Sequence, residues 1–262
     1  MGNIREQSKR KREVENCLAQ QEECIESSEK RVKQWVPVSL LTLPANVRNK
    51  VKVAGVSGKI GTGKNYLMEF VLKPWLLVNG YNCVVIAFAD ELKFQVMNQY
   101  GYTFEQVFFT KPKDVRIALQ QFGDQKRLEV DEGHWIREAH KWVMLHATRG
   151  VDFILFTDNR HVNESEYIKK QLHGAVIRID APERNRAKLK ADYTVLNLND
   201  GSVNVEETEA NIAEIAEHIS ETALDNYTEF DAVINNEVEN QHQSAKQFIE
   251  ALQTALACRT LL

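Results

Sequence analysis

Residues 58–65 read Gly-Lys-Ile-Gly-Thr-Gly-Lys-Asn. The spacing G-x-x-x-x-G-K is that of a loop whose backbone N–H groups curl inward on phosphate oxygens. Glycines permit the tight curl, and a helix starting at the loop would add its positive dipole end. Gly58, Ile60, Gly61, Thr62, Gly63, Lys64 and Asn65 therefore read as a polyphosphate site, with Lys64 reaching the outer phosphates. Asn65 stands where Ser or Thr usually ligates Mg²⁺, and its amide oxygen is the candidate metal ligand there. Thr62 offers a phosphate contact from inside the loop.

Further polar groups recur at the ends of apolar runs. Asp90 follows Cys83–Phe88, and Asp158 and Arg160 follow Val151–Phe156. Ligands of open parallel sheets bind beyond the carboxyl ends of the strands. Asp90 thus reads either as part of a metal or acceptor site or as a helix cap. Asp158 is a second candidate metal ligand, and Arg160 a phosphate clamp; the pair also reads as a structural bridge. Arg116, Gln120, Gln121, Arg127 and Trp135 share one helix-rich stretch. Arginine suits a bidentate hold on phosphate. Gln120 or Gln121 could read a base edge and Trp135 or Phe122 could stack, although such aromatics more often belong to the core. Arg184 and Arg186, with Arg178, Lys188 and Lys190, form a basic segment after the next apolar run. They suit a lid that stabilises transferring charge, or simply a solvated basic loop.

These groups need a scaffold. Apolar, β-branched runs at 51–56, 83–88, 151–156, 175–179 and 230–235 predict five strands. Helical patterns at 64–79, 113–148 (broken near Asp131-Glu132-Gly133), 163–172, 206–219 and 243–258 separate or follow them. The alternation predicts a three-layer α/β/α architecture around a mostly parallel five-stranded sheet. Residues 1–50 read as a polar helical extension and connector, and 51–262 as the main domain. A substrate-binding insertion at about 94–148 and a lid at about 181–192 are expected within it.

The 262-residue chain is 43% apolar with a net charge of −4. Bulk electrostatics give no case for nucleic-acid binding. No apolar run reaches the roughly 18–20 residues of a membrane span, and no secretory signal opens the chain. Cys17, Cys24, Cys83 and Cys258 form no CxxC pair. The expected setting is the reducing cytoplasm. Lys9-Arg10-Lys11-Arg12 reads as a charged helix face. The sequence leaves monomer and homodimer open, because 1–34 has few apolar heptad positions.

The order of motifs resembles the phage and bacterial deoxynucleoside monophosphate kinases, a branch of the P-loop kinases, over about 51–237. The resemblance rests on the 58–64 loop, Phe-Ala-Asp-Glu-Leu-Lys at 88–93, and Arg116 with Leu-Gln-Gln-Phe-Gly-Asp at 119–124. Arg127, Trp135, Thr-Asp-Asn-Arg-His-Val-Asn-Glu at 157–164, and Ser220–Asp225 with Ile234-Asn235 extend it. It implies a nucleoside monophosphate kinase-like P-loop fold, Mg²⁺, and γ-phosphoryl transfer from ATP to a deoxynucleoside monophosphate. Lys64 and Asn235 would then serve ATP. Asp90, Lys93, Arg116, Gln120, Arg127 and Arg160 would surround the acceptor, with Trp135 near the base. A viral protein of this kind would work in the host cytoplasm. Competing readings are another small-molecule P-loop kinase of phosphomevalonate kinase type and a nucleotide-binding interaction protein without turnover.

Overall fold

Five of the six residues of Lys52–Ser57 (β1) are buried, which places this strand at the centre of the sheet. The computed structural model describes residues 36–197, 202–237, 239 and 241–259, and the expected arm at 1–34 lies outside them. From Gly63 the chain enters a helix, α1 (64–78), with α-turns at Lys64–Tyr66 and Lys73–Val78 and wider π-type turns at Leu67–Leu72. Pro74 lies at its second α-stretch, where the missing N–H disfavours a regular preceding turn. Gly80, at φ 81°, ends the helix turn and leads to Cys83–Ile86 (β2).

Next come Asp90–Tyr100 (α2), a π-type turn at Glu105–Thr110, Lys113–Glu129 (α3) and His134–Thr148 (α4). Phe153–Asn159 (β3), helix α5 (162–171) and Ala175–Asp180 (β4) follow. Pro182–Tyr193 (α6) occupies the basic segment, which is therefore a helix and not a loop. The chain closes with Val205–Ala216 (α7), the single turn Ile219–Thr222 (α8), Ala232–Asn235 (β5) and Gln241–Arg259 (α9).

The strand order is β2-β3-β1-β4-β5, and every neighbouring pair is parallel. Parallel neighbours require crossovers, which the helices supply. Alternation along each strand divides the core between two faces. Ile154 and Phe156 pack with Val53, Ile136, Val143, Tyr167 and Ile168 on one face. Leu155 packs with Ala54, Val56, Leu67, Met68, Ile177 and Phe248 on the other. The result is the three-layer α/β/α fold of P-loop NTPases. Leu41 and Leu43, ahead of β1, are buried in the first of these clusters. The β1–β3 register shifts between Gly55 and Ser57, opposite Thr157 and Asp158. Such irregularities re-aim side chains beside functional sites.

Candidate active site

The loop between β1 and α1 is bent by Gly58, Gly61 and Gly63, at φ 140°, 76° and 88°. Space is as restrictive as torsion at Gly63. A Cβ there would sit 2.5 Å from Asn236 Nδ2 and 3.3 Å from the Arg184 guanidinium. Thr62 is buried, and its hydroxyl donates to Lys59 O at 2.9 Å. It braces the loop. Lys64 is also buried, and its ammonium donates to Gly58 O at 2.5 Å and Lys59 O at 2.6 Å. Burial and the nearby Arg160 charge lower its pKa to about 7, against the opposing pull of Glu221 and Asp158.

Lys64 opens on a cavity of about 550 Å³ at the carboxyl end of the sheet. Eight Lys and Arg side chains line it, against four Asp and Glu. The expected Ile60, Gly61, Gly63, Lys64, Asn65, Lys93, Arg116, Gln120, Arg127, Trp135, Asp158, Arg160 and Arg184 all reach its wall. Five expected residues do not. Gly58 and Thr62 are parts of the loop scaffold. Asp90 accepts from Ala87 N–H at 2.8 Å and pairs with Lys93 at 2.8 Å, closing the turn into α2. Arg186 is exposed and pairs with Glu183. Asn235 Oδ1 turns away to accept from Glu237 N–H. Its neighbour Asn236 is buried instead and donates to Thr62 O at 2.8 Å. Strand alternation separates these two neighbours.

Trp135 is 2% exposed, and its indole N–H donates to Gly123 O at 3.0 Å. Most of the ring packs with Leu92, Val96 and Phe122. The core role therefore dominates, with one edge on the cavity. Asp158 accepts from the N–H groups of Phe88 at 2.7 Å and Ala89 at 3.0 Å. Burial nevertheless raises its pKa above the ordinary carboxylate value, and the Lys93 charge opposes this. Asn65 is exposed at the mouth of the loop. Its amide oxygen and the Asp158 carboxylate are the hard donors that Mg²⁺ accepts alongside phosphate and water. Both residues fit that ion chemically.

Glu164 is buried at the start of α5. It accepts from Arg160 N–H at 2.8 Å and His161 N–H at 3.1 Å, and its other oxygen meets Arg127 at 3.2 Å. One carboxylate thus caps α5 and holds an arginine of the opposite wall. Burial brings the His161 pKa down to about 3, with Arg127 adding to the effect, so this ring is neutral.

Two contributors stand outside the expected site residues. Lys111 adopts φ 46° where the π-type turn ends, and its side chain lines the cavity. Arg116 Nε donates to its carbonyl at 3.1 Å. Burial, with Lys93, Arg116 and Arg160 nearby, lowers the Lys111 pKa to about 8. The second contributor is Glu221 on α8. It accepts from Ile60 N–H at 2.9 Å and pairs with Arg160 Nη1.

The sheet order, the loop and its helix define a P-loop nucleotide-binding fold. No family model and no curated protein matches the chain. Among solved structures, shikimate kinase from Acinetobacter baumannii in complex with shikimate is 12% identical. The match covers 80% of this chain and 98% of that one, with a TM-score of 0.39. Shikimate kinase from Bacteroides thetaiotaomicron is 13% identical over 77% and 98%, with a TM-score of 0.38. The APS kinase CysC of Mycobacterium tuberculosis, in complex with AMPPNP and APS, is 13% identical over 78% and 98%, with a TM-score of 0.34. Likeness this low adds nothing to what strand order and loop geometry establish.

Proposed function

We propose that the protein is a P-loop kinase that transfers the γ-phosphoryl group of ATP to a deoxynucleoside monophosphate, giving a deoxynucleoside diphosphate and ADP. The observation that carries this reading is the convergence of Lys64 with Lys93, Lys111, Arg116, Arg127 and Arg160 on one cavity. The loop and Lys64 serve the donor. The other cations exceed what one triphosphate needs and suit a second anionic group. Transfer would be in line, from the β–γ bridging oxygen of ATP to an oxygen of the acceptor phosphate. An acceptor phosphate is already ionised at neutral pH, so the step calls for no general base. That fits an Asp158 carboxylate engaged by two backbone N–H groups. Mg²⁺, held from Asn65 and Asp158, would neutralise charge on the transferring group. Catalysis is then mainly positioning and screening of two anions.

The burial of Trp135 favours a second reading. Its indole is spent on Gly123 and the core and offers no open face for a base to stack on. The same cation cluster would hold another small anionic acceptor that has no base.

The test is ADP release with ATP, Mg²⁺ and each deoxynucleoside and ribonucleoside monophosphate in turn. Turnover with one or more deoxynucleotides is the expected result. If protein that binds ATP turns over none of them, the nucleotide acceptor is discarded and the second reading stands.

A further inference from the structure

The segment 218–225 is bonded to elements on both sides of the cavity. On the donor side, Lys59 pairs with Asp225 at 2.8 Å, and the Ile60 N–H donates to Glu221 Oε2 at 2.9 Å. On the acceptor side, Arg160 Nη1 donates to Ser220 O at 3.2 Å and pairs with Glu221 Oε1. His218 Nε2 meets Asp124 of α3 at 3.1 Å, and Arg178 of β4 donates to Leu224 O at 2.8 Å. Glu221 sits at the middle of this strap, and its side chain is only 6% exposed.

The two oxygens of Glu221 go to different halves of the site. One holds a backbone amide of the donor loop, and the other holds the arginine at the end of β3. Within the Arg160 guanidinium, the described hydrogen bonds run through Nη1 alone. Its Nε and Nη2 are left for a ligand, and a guanidinium edge suits phosphate oxygens. Anchoring one nitrogen leaves the opposite edge aimed and removes most of its rotamer freedom. We propose that Glu221 is a positioning residue that ties the donor loop to Arg160 and thereby sets the separation of the two phosphates the reaction must bring together. This rests on the kinase reading but not on the identity of the acceptor's base.

A buried carboxylate that merely propped up the fold would affect stability and every kinetic constant together. A tether predicts a split. Glu221→Gln keeps an oxygen for Ile60 N–H but loses the pairing with Arg160. Acceptor KM should rise by about tenfold, the equivalent of ~1.4 kcal/mol, while ATP affinity at pH 6.5 changes little. A second readout is Mg·ATP affinity, which should stay within about twofold of wild type. Glu221→Asp keeps the charge and shortens the reach. It should leave ATP affinity near wild type yet still raise acceptor KM, and it carries the test if Glu221→Gln does not fold.

The experiment is calorimetric titration with Mg·ATP at pH 6.5, with KM for the active deoxynucleoside monophosphate at the same pH. Acceptor KM within about twofold of wild type in both variants overturns the tether. So does tighter ATP binding with acceptor KM unchanged, which would make Glu221 a plug. Wild-type protein that binds no ATP overturns the donor-loop reading itself, and with it this inference. That outcome is distinct from failure of the tether alone.

Discussion

Lys64 shows how one residue's surroundings set its chemistry. Its ammonium is buried and, among the described residues, donates to two carbonyls of its own loop. Its pKa of about 7 lies below the ordinary lysine value of 10.5. Below pH 7 the folded and unfolded chains both keep this proton. Between about 7 and 10.5 the unfolded chain binds more protons, so this group's contribution to stability rises with pH across that window. Urea melts of ligand-free protein at pH 6.5, 8 and 9.5 should show this rise in wild type. Lys64→Met should reduce the rise, leaving the part that Lys111 contributes above about pH 8, and also abolish ADP release. The same residue scale separates what the chain reveals from what it hides. Lys64 and Arg160 are legible because a loop spacing and a strand end announce them. Glu221 is legible only as part of the Ser220–Asp225 segment, since its partner Ile60 lies 161 residues away and nothing local marks the meeting. Asp90 satisfied two readings equally in the sequence; its bond from Ala87 N–H braces the turn ahead of α2, while Ala89 holds the N-cap position.

At the level of elements, periodicity did most of the work. All five strands lie where apolar runs place them, and the break between α3 and α4 falls at the expected Asp-Glu-Gly. Less legible was α2, whose polar and apolar residues show only a weak helical stripe. The aromatic-rich turn at Glu105–Thr110 has no clear period either. Asn235 and Asn236 differ by one step of strand register, and composition cannot tell which of two adjacent asparagines faces the loop. The loop is itself an element, and its tolerance can be measured. Gly63→Ala places a methyl against Asn236 and Arg184 at a left-handed φ. Alanine there is disfavoured by about 1–2 kcal/mol before any clash. ATP affinity should fall by roughly tenfold or more, and calorimetry would read it. Unchanged affinity would mean that the loop opens in solution and does not hold this shape.

For the whole molecule, the crossovers of a parallel sheet gather distant segments at one end, so the cavity wall draws on residues from Ile60 to Glu221. A ligand bridging those segments should stabilise the protein as one unit. Mg·ATP at a hundred times its Kd adds about 2.7 kcal/mol by mass action. Lys111 belongs to this scale because of what it costs. A lysine at φ 46° occupies a position that closes a helical turn, where glycine is the usual occupant. Lys111→Gly should relieve backbone strain of about 1 kcal/mol and raise the melting temperature of the ligand-free protein. The same change should weaken acceptor binding, because one of the converging cations is lost. The position thus embodies a trade between robustness and activity. Selection for thermal tolerance alone would drift toward glycine at 111, and selection for turnover would keep the lysine.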